Sequence, residues 1–300
     1  MISCAFIGNV KMSKSFLEIL SRDKNFHIKT IVTKTKSEFN SDHYDLGDCS
    51  FIDKNDVYYF ESNLDKDQKK LSKHIKNLKV DYLFCFGWSN LLKDNVLKAV
   101  SKTSFGFHPA KLPANRGRHP IIWAKVLGLN ETASSFFELE LEADTGAIFS
   151  QVDIPINEDD CAGTIYQNID KTAKQQFKQI LNDISNNKLK RTYQSFDKSN
   201  HWRKRSKDDG RVDWRMRGHD IKNLILALYP PYPGATFFYD GEEVLINKFV
   251  SLRNDKGYEN IEPGKIINKN ANNLCVKCSD SLLEFEASID FSDIEIEYLL

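Results

Sequence analysis

The sequence predicts an α/β protein of two domains, a larger one over residues 1–200 and a smaller, β-rich one over residues 201–300. Two observations lead to this prediction. In the first half, short apolar runs alternate with segments of helical spacing, which is the pattern of a parallel sheet with helices on both faces. Beyond residue 209, most apolar runs are short and lie between turn residues, which is typical of a small barrel or sandwich.

The predicted elements follow one another along the chain. Short apolar runs predict strands at residues 2–7, 28–32, 57–60, 81–86, 136–141 and 148–154. Apolar residues at helical spacing predict helices at residues 13–20, 65–78, 91–100 and 160–184. A polar and basic stretch at residues 195–209 separates the two domains. After it come a helix at residues 220–228, a proline-rich turn at residues 230–234 and several short strands.

Bulk composition narrows the class of protein. Lys+Arg and Asp+Glu both number 42, and this neutrality argues against a large nucleic-acid footprint, because proteins that grip phosphates are usually basic. No apolar stretch approaches the ~20 residues of a membrane helix, and the N-terminus lacks signal-peptide features. We therefore expect a cytoplasmic protein without membrane contact. The Cys275–Cys278 pair has no second pair to complete a zinc site, so no metal is expected.

The richest segment is residues 108–123, HPAKLPANRGRHPIIW, where prolines and a glycine indicate an ordered loop at a strand end. In parallel sheets, ligands bind beyond the carboxyl ends of the strands, so this loop is a candidate active-site wall. The alternative is a structural loop with surface charges. A second loop, Ala143-Asp144-Thr145-Gly146, follows a predicted strand, and Gly146 could supply the positive φ that a turn there needs.

These loops resemble the hallmark of the 10-formyltetrahydrofolate-dependent formyltransferases. In that family, as here, a histidine-proline is followed by a leucine-proline, an arginine-glycine and a further proline. The loop around Asp144 is similar to the family's aspartate loop. Residues 209–214 and 231–235 look like two signatures of its C-terminal domain. The resemblance implies a Rossmann-like formyltransferase domain and an OB-like C-terminal domain.

The resemblance also implies a reaction and its residues. A neutral amine attacks the formyl carbon of 10-formyltetrahydrofolate, the co-substrate, and negative charge develops on the formyl oxygen. The family's catalytic histidine and aspartate correspond to His108 and Asp144. A histidinium stabilises the developing charge, a nearby carboxylate favours that protonated ring, and a carboxylate or water accepts the proton of the amine. These roles require no metal.

One catalytic position departs from the family pattern. The family asparagine corresponds to Gly106, which has no side chain to donate a hydrogen bond to the formyl oxygen. Losing one such donor typically costs ~2.7–4 kcal/mol in barrier. Three interpretations stay open: Asn115 or Asn90 replaces the donor, a water fills the space, or the protein is a slow or repurposed relative. We favour replacement.

The resemblance further implies one binding region, and the residue types indicate a second. The pterin side of the folate would be held by backbone groups and apolar side chains of two loops: Phe86, Gly87, Trp88, Leu92, Leu112, Ala143 and Asp144. For Trp88 the alternative is a core aromatic. From their residue types, Arg116, Gly117, Arg118 and His119 are expected to bind the acceptor, and the alternative is a surface ion-pair cluster. Arginine and histidine side chains suit a diphosphate, so we expect a nucleotide-linked amino sugar, such as a dideoxy amino sugar of surface-glycan synthesis.

Other acceptors and roles remain open. The run Arg203-Lys204-Arg205 with Lys207 would suit tRNA, and methionyl-tRNA formyltransferase is the runner-up, although such runs are usually solvated linker. A third hypothesis is a non-catalytic protein that binds folate or a nucleotide sugar, and Gly106 keeps it open. The sequence says little about oligomeric state, and a homodimer is one of the states left open.

Overall fold

A computed structural model describes residues 1–36, 42–292 and 297–299, and its chain divides into two compact units. The first unit comprises Met1–Pro120, Thr132–Ile154 and Gln167–Trp202. The second comprises Ile121–Glu131, Pro155–Tyr166 and Arg203–Leu300. The division at Trp202 lies near the predicted boundary. The two short segments that the second unit takes from the first 200 residues carry no compositional signal in the sequence.

The strands of the first unit are β1 (Ile2–Ile7), β2 (Phe26–Thr33), β3 (Val57–Tyr59), β4 (Tyr82–Cys85), β5 (Thr103–His108), β6 (Arg116–Gly117), β7 (Glu131–Glu138), β8 (Ile148–Pro155) and β9 (His201–Trp202). Seven of them form one sheet in the order β3-β2-β1-β4-β5-β7-β8, while β6 pairs with β9. The pairs from β3 to β5 are parallel, and β7 runs antiparallel to β5. The predicted α/β class is therefore confirmed.

The helices of the first unit are α1 (Lys11–Ser21), α2 (Asp65–Asn77), α3 (Asp94–Leu97) and most of α5 (Ala162–Ser185), whereas α4 (Pro120–Val126) lies almost entirely in the second unit. Helix α1 forms because its apolar residues recur every three to four positions, and this face buries Phe16. Phe16 packs against Phe86, Phe136 and Phe177 with ring centroids 5.0–5.7 Å apart. This aromatic core joins α1, β7 and α5 and supports β4 and β5 from one side.

Two predicted elements have different bounds, and polar side chains explain both. The helix predicted at residues 91–100 is reduced to α3, because Gln68 bonds the carbonyl of Leu91 and the amide of Lys93 and holds that segment extended. The strand predicted at residues 136–141 instead begins at Glu131 and ends at Glu138. Its first half contains Thr132, Ser134 and Ser135, which are buried, so an apolar pattern misses it.

The second unit contains α6 (Gly218–Ala227) and the strands β10 (Ala235–Tyr239), β11 (Glu242–Asn254), β12 (Ile266–Asn270), β13 (Asn273–Lys277) and β14 (Ser281–Ala287). These strands form an antiparallel sheet in the order β10-β11-β14-β13-β12. Trp214 stacks on Phe285 at 5.4 Å in its core. The predicted β-rich C-terminal region is therefore confirmed.

Candidate active site

Strand order places a crevice at the carboxyl edge of the first unit's sheet. The chain runs outward from β1 to β2 and β3 and then returns to β4 on the other side of β1. Ligands of open α/β sheets bind at such a switch point. Strand β5 is the next neighbour of β4, and it ends at His108.

His108 is the central side chain of this edge. It is 5% exposed, and both of its ring nitrogens face oxygen atoms. Nε2 lies 2.8 Å from the carbonyl oxygen of Asn115, and Nδ1 lies 3.7 Å from Oδ2 of Asp144. With Nε2 donating to a carbonyl, Nδ1 meets the carboxylate favourably only when it also carries a proton. The 3.7 Å separation is longer than a hydrogen bond, so Nδ1 keeps capacity for another acceptor.

Asp144 reaches His108 through a loop that folds back over β5. The amide of Leu139 donates to the carbonyl of Ser104, near the start of β5, whereas Asp144 lies beside His108 at its end. Oδ2 of Asp144 also accepts a 2.9 Å hydrogen bond from the amide of Gly117. The carboxylate is thus held between the two loops that the sequence analysis singled out.

The positive φ of the aspartate loop falls on Asp144 itself, at 61°, and not on Gly146 as predicted. Aspartate tolerates this region better than most residues, and such strained backbone clusters at functional sites. Gly146 is needed for a different reason. A Cβ there would lie 1.8 Å from the carbonyl oxygen of Glu138, so only glycine allows the loop to pass that close.

Gln194 ties the aspartate loop to Arg116. Its side-chain amide donates to the carbonyls of Asp144 at 2.9 Å and Gly146 at 2.7 Å, and its oxygen accepts from Arg116 at 2.8 Å. Arg116 is 4% exposed, and its guanidinium lies 5.4 Å from the ring centroid of Phe196. The arginine therefore points into the protein, where it supports the geometry of Asp144 from behind.

A second polar clamp fixes the start of the histidine loop. Oε1 of Gln151 accepts from the amide of Leu112 at 2.9 Å and from the hydroxyl of Ser135 at 2.7 Å. The Ser135 hydroxyl also bonds the carbonyl of Ala110, and Nε2 of Gln151 donates to the carbonyl of Leu112. Leu112 is buried beneath this clamp. The loop that carries His108 is thus rigid at both of its ends.

The space beside Gly106 is filled by apolar side chains. Gly106 pairs with Phe137 across β5 and β7. A Cβ built on Gly106 would lie 2.7 Å from Cζ of Phe137 and 2.7 Å from Cδ2 of Leu139, closer than real Cβ contacts. A side chain at this position could enter only if the ends of the Phe137 and Leu139 side chains moved aside.

The loop after β4 combines a buried part with polar atoms that lack partners. Phe86 lies in the aromatic core and Leu92 is buried, whereas Trp88 is half-buried and packs edge-on against Phe60. Lys34 Nζ lies 5.0 Å above the Trp88 ring, and burial lowers the pKa of this lysine. Within the described residues, Trp88 Nε1 and Asn9 Oδ1 are buried without a hydrogen-bond partner.

These two atoms lie at the same edge of the sheet, because the amide of Asn9 donates to the carbonyl of Gly87. Buried polar groups are rarely left unpaired in folded proteins. A ligand with polar edges would satisfy both. Ala143, half-buried beside Asp144, completes the set of residues predicted to bind a folate.

Arg118 and His119 occupy the outer part of the histidine loop. Arg118 is exposed, and its guanidinium lies 3.4 Å from the carbonyl of Ser89, so it connects the histidine loop with the loop after β4. His119 is half-buried and has a φ of 54°. Of the four residues predicted to bind the acceptor, Arg116 points inward, whereas Arg118 is available to solvent.

Several residues of this site have no signal in the sequence. Gln194 follows α5 in a polar stretch, and Gln151 sits on a strand among other polar residues. Neither residue belongs to a motif, and only the folded chain brings each of them to the loop that it holds. Among the described residues, no group of three or more His, Cys, Asp or Glu side chains could hold a metal ion. No helix in the described ranges is both long and apolar enough to cross a membrane.

Comparison with known protein families gives two matches along the chain. Residues 10–181 match the family model described as formyl transferase, and residues 204–291 match formyl transferase, C-terminal domain. Among curated proteins, the bifunctional polymyxin resistance protein ArnA of Wigglesworthia glossinidia brevipalpis is 30% identical over 212 residues. The match covers 70% of this chain but only 31% of that protein, about a third of its length.

Solved structures share the fold at low identity. The N-formyltransferase from Helicobacter canadensis, in complex with folinic acid and dTDP-3-aminofucose, has a TM-score of 0.70 at 17% identity and covers 97% of this chain and 100% of its own. WlaRD, a sugar 3N-formyl transferase in the presence of dTDP and 5-N-formyl-THF, has a TM-score of 0.67 at 16% identity and covers 98% and 99%. At these identities, the likeness establishes the fold.

Proposed function

Because the chain belongs to the formyl transferase family, we propose that it transfers a formyl group from 10-formyltetrahydrofolate to the amine of a nucleotide-linked amino sugar. The observation that carries this proposal is the pairing of His108 with Asp144 at the carboxyl edge of the sheet, 3.7 Å apart. Both residues lie within residues 1–200, which we propose as the catalytic domain.

The geometry supports a distinct role for each residue. The formyl donor supplies an activated carbonyl that an amine can attack. The Asn115 carbonyl fixes the orientation of the His108 ring through Nε2, and the protonated imidazole can stabilise charge on the formyl oxygen. Asp144 favours this protonated ring and can accept the proton that the amine loses. The amide of Gly117 holds the carboxylate in place through both tasks.

The residues present fit a folate. A pterin ring has donors and acceptors along its edge, and Trp88 Nε1 and Asn9 Oδ1 are buried polar atoms without partners in the described structure. We propose that they, with the backbone at Gly87, meet such a ring. The relatives from Helicobacter canadensis and WlaRD were solved with folinic acid and 5-N-formyl-THF, respectively, which supports the same class of co-substrate here.

For the acceptor, we propose a nucleotide diphosphate linked to an amino sugar, bound on the side of Arg118 and His119. Arg118 is exposed beside the crevice, and a guanidinium suits a diphosphate through two parallel hydrogen bonds. Both solved relatives were crystallised with dTDP or a dTDP-sugar, which supports this class. Arg116 acts instead from inside the protein, through Gln194 and the aspartate loop.

The tRNA alternative rests on the basic run at residues 203–207, whose side chains have acidic and aromatic neighbours. Arg203 forms a bidentate pair with Asp209, and this pairing holds the pKa of the Asp209 carboxyl well below its usual range. Arg205 stacks 4.8 Å above Trp123, as Arg203 does at 5.3 Å. Lys207 pairs with Glu243. Arg203, Arg205 and Lys207 each have a partner within the second unit, which disfavours a phosphate-binding role for this run.

The experiment uses the purified chain with 10-formyltetrahydrofolate, a panel of nucleotide-linked amino sugars and methionyl-tRNA. We expect turnover with at least one amino sugar, and none with the tRNA. Efficient formylation of the tRNA alone would favour the runner-up. Tight binding of folate and sugar without turnover of any amine would favour the non-catalytic alternative, which rests on Gly106.

A further inference from the structure

The filled space beside Gly106 limits which residues could donate the hydrogen bond that the family asparagine would give to the formyl oxygen. Phe137 and Leu139 occupy the volume into which a side chain at this position would project. Their occupation of this volume disfavours a water there, and restoring an asparagine would force both side chains to move. If the formyl oxygen receives a second hydrogen bond, the donor must come from another element that reaches His108.

Asn115 can supply such a donor, because hydrogen bonds to both its backbone carbonyl and its backbone amide fix it next to His108. Its carbonyl accepts from His108 Nε2 at 2.8 Å, and its amide donates to Oδ1 of Asn200 at 2.7 Å. Its φ of 63° turns the chain into the left-handed region, which asparagine tolerates. The residue therefore has little freedom to move away from the imidazole.

The side chain of Asn115, in contrast, is uncommitted. It is half-buried, and none of the described residues forms a hydrogen bond with it. An amide side chain on a fixed backbone has only its own torsions left to adjust, so turning it toward a developing charge needs little reorganisation. The backbone carbonyl of Asn115 already accepts a hydrogen bond from His108, so the side-chain amide starts from a backbone that is fixed beside the imidazole.

Two other side chains are less suitable. Ser104 has a buried hydroxyl without a partner in the described structure, but it precedes His108 by four residues on the same strand, roughly 13 Å at the strand rise. Asn90 lies on the loop after β4, and no hydrogen bond within the described residues links it to His108. Asn115 is the candidate that the hydrogen bonds tie directly to the imidazole.

We propose that the side-chain amide of Asn115 donates a hydrogen bond to the formyl oxygen and replaces the donor that Gly106 lacks. This inference rests on the proposed formyl transfer and assigns one further catalytic residue to it. It accounts for a chain that has the histidine and the aspartate of the proposed reaction and a glycine at the third position.

The test is the variant Asn115→Gly, since glycine keeps the left-handed backbone and the carbonyl that holds His108, and removes only the amide. Asn187→Gly is the matched control. Asn187 is also an asparagine in the left-handed region, with φ 55°, but it lies at the end of α5 away from the site. A third variant, Asn115→Asp, keeps the shape and removes the donor.

The first measurement needs no turnover. Calorimetry compares the affinities for a stable 10-formyl folate analogue and for its deformylated counterpart. Asn115→Gly should reduce the preference for the formylated ligand about three- to tenfold, the usual worth of one hydrogen bond, and Asn187→Gly should leave it unchanged. The second measurement is kcat, which should fall about 10²–10³-fold in both Asn115 variants with KM for the donor little changed.

The outcomes separate the two proposals. If the wild-type protein binds no folate analogue, the proposed function fails and this inference fails with it. If the wild type binds and turns over but Asn115→Gly keeps both its ligand preference and its kcat, only the Asn115 assignment is wrong. Loss of the preference in Asn90→Ala, with Asn115→Gly unaffected, would also overturn it. A loss of preference confined to the Asn115 variants supports it.

Discussion

Substituting Gly106 with alanine should test how tightly the ring of Phe137 fills the space beside Gly106. In Gly106→Ala, the new Cβ would meet Cζ of Phe137 and Cδ2 of Leu139 at 2.7 Å. Overpacking of this kind costs about 1–3 kcal/mol of stability. Because φ at Gly106 suits alanine, the smaller conformational entropy of the unfolded variant offsets about 0.4–1 kcal/mol of that cost. We expect a net loss of about 1–2 kcal/mol in the free energy of unfolding.

A double-mutant cycle with Phe137→Ala makes the prediction specific. Phe137→Ala alone should cost about 3–5 kcal/mol, since the ring is buried. In the double variant the clash with the ring is gone and the contact with Cδ2 of Leu139 remains, so adding Gly106→Ala should cost less than it does in the wild type. The cycle should therefore give a coupling of about 1 kcal/mol, which cannot exceed the net cost of Gly106→Ala alone.

Urea denaturation followed by circular dichroism measures each corner of this cycle. Ser104→Ala, on the same strand, is the control, because it removes a buried hydroxyl that has no partner among the described residues and should be close to neutral. Additive effects of Gly106→Ala and Phe137→Ala would refute the claim that the two positions share one space.

Further predictions concern catalysis, the acceptor and the second unit. Asp144→Asn should lower kcat by orders of magnitude and leave folate binding intact, and near-normal turnover in steady-state assays would reject its role. Arg118→Ala should raise KM for the sugar nucleotide roughly tenfold and spare KM for the folate; equal effects on both would contradict the acceptor assignment. Arg203→Ala should change neither sugar turnover nor its salt dependence, whereas a flattened salt slope would indicate nucleic-acid binding. Asp255→Ala should cost about 1.5–3 kcal/mol in urea unfolding, because the buried ammonium of Lys277, 3.0 Å away, loses its carboxylate and keeps the carbonyls of Cys278 and Ser279; a loss under about 0.5 kcal/mol would count against that pair.

The sequence predicts the fold well where apolar patterns set it. Strand β1 is buried along most of its length and α1 has a single apolar face, so both patterns are unambiguous. The predicted bounds of strands and helices are wrong where buried or hydrogen-bonded polar side chains determine the local structure. Three buried hydroxyl residues hide the start of β7, and Gln68 prevents the helix predicted at residues 91–100 from forming in full.

For the site, the motifs identify residues but not their environment. His108 and Asp144 are adjacent as the resemblance implies, and the loop carrying Asp144 folds back to reach His108. The inward direction of Arg116 could not be predicted, because it depends on Gln194, which is distant in sequence and belongs to no motif. The filling of the space at Gly106 likewise depends on the cross-strand pairing with Phe137.

The most direct test of the account follows the formyl carbon itself. The protein is given 10-formyltetrahydrofolate with a heavy-carbon label in the formyl group, together with nucleotide-linked amino sugars, and mass spectrometry locates the label. The account predicts one labelled formyl group on the sugar amine with the wild-type protein, and a rate orders of magnitude lower with His108→Asn. Label that stays on the folate with every amino sugar, or transfer at an undiminished rate by His108→Asn, would contradict it.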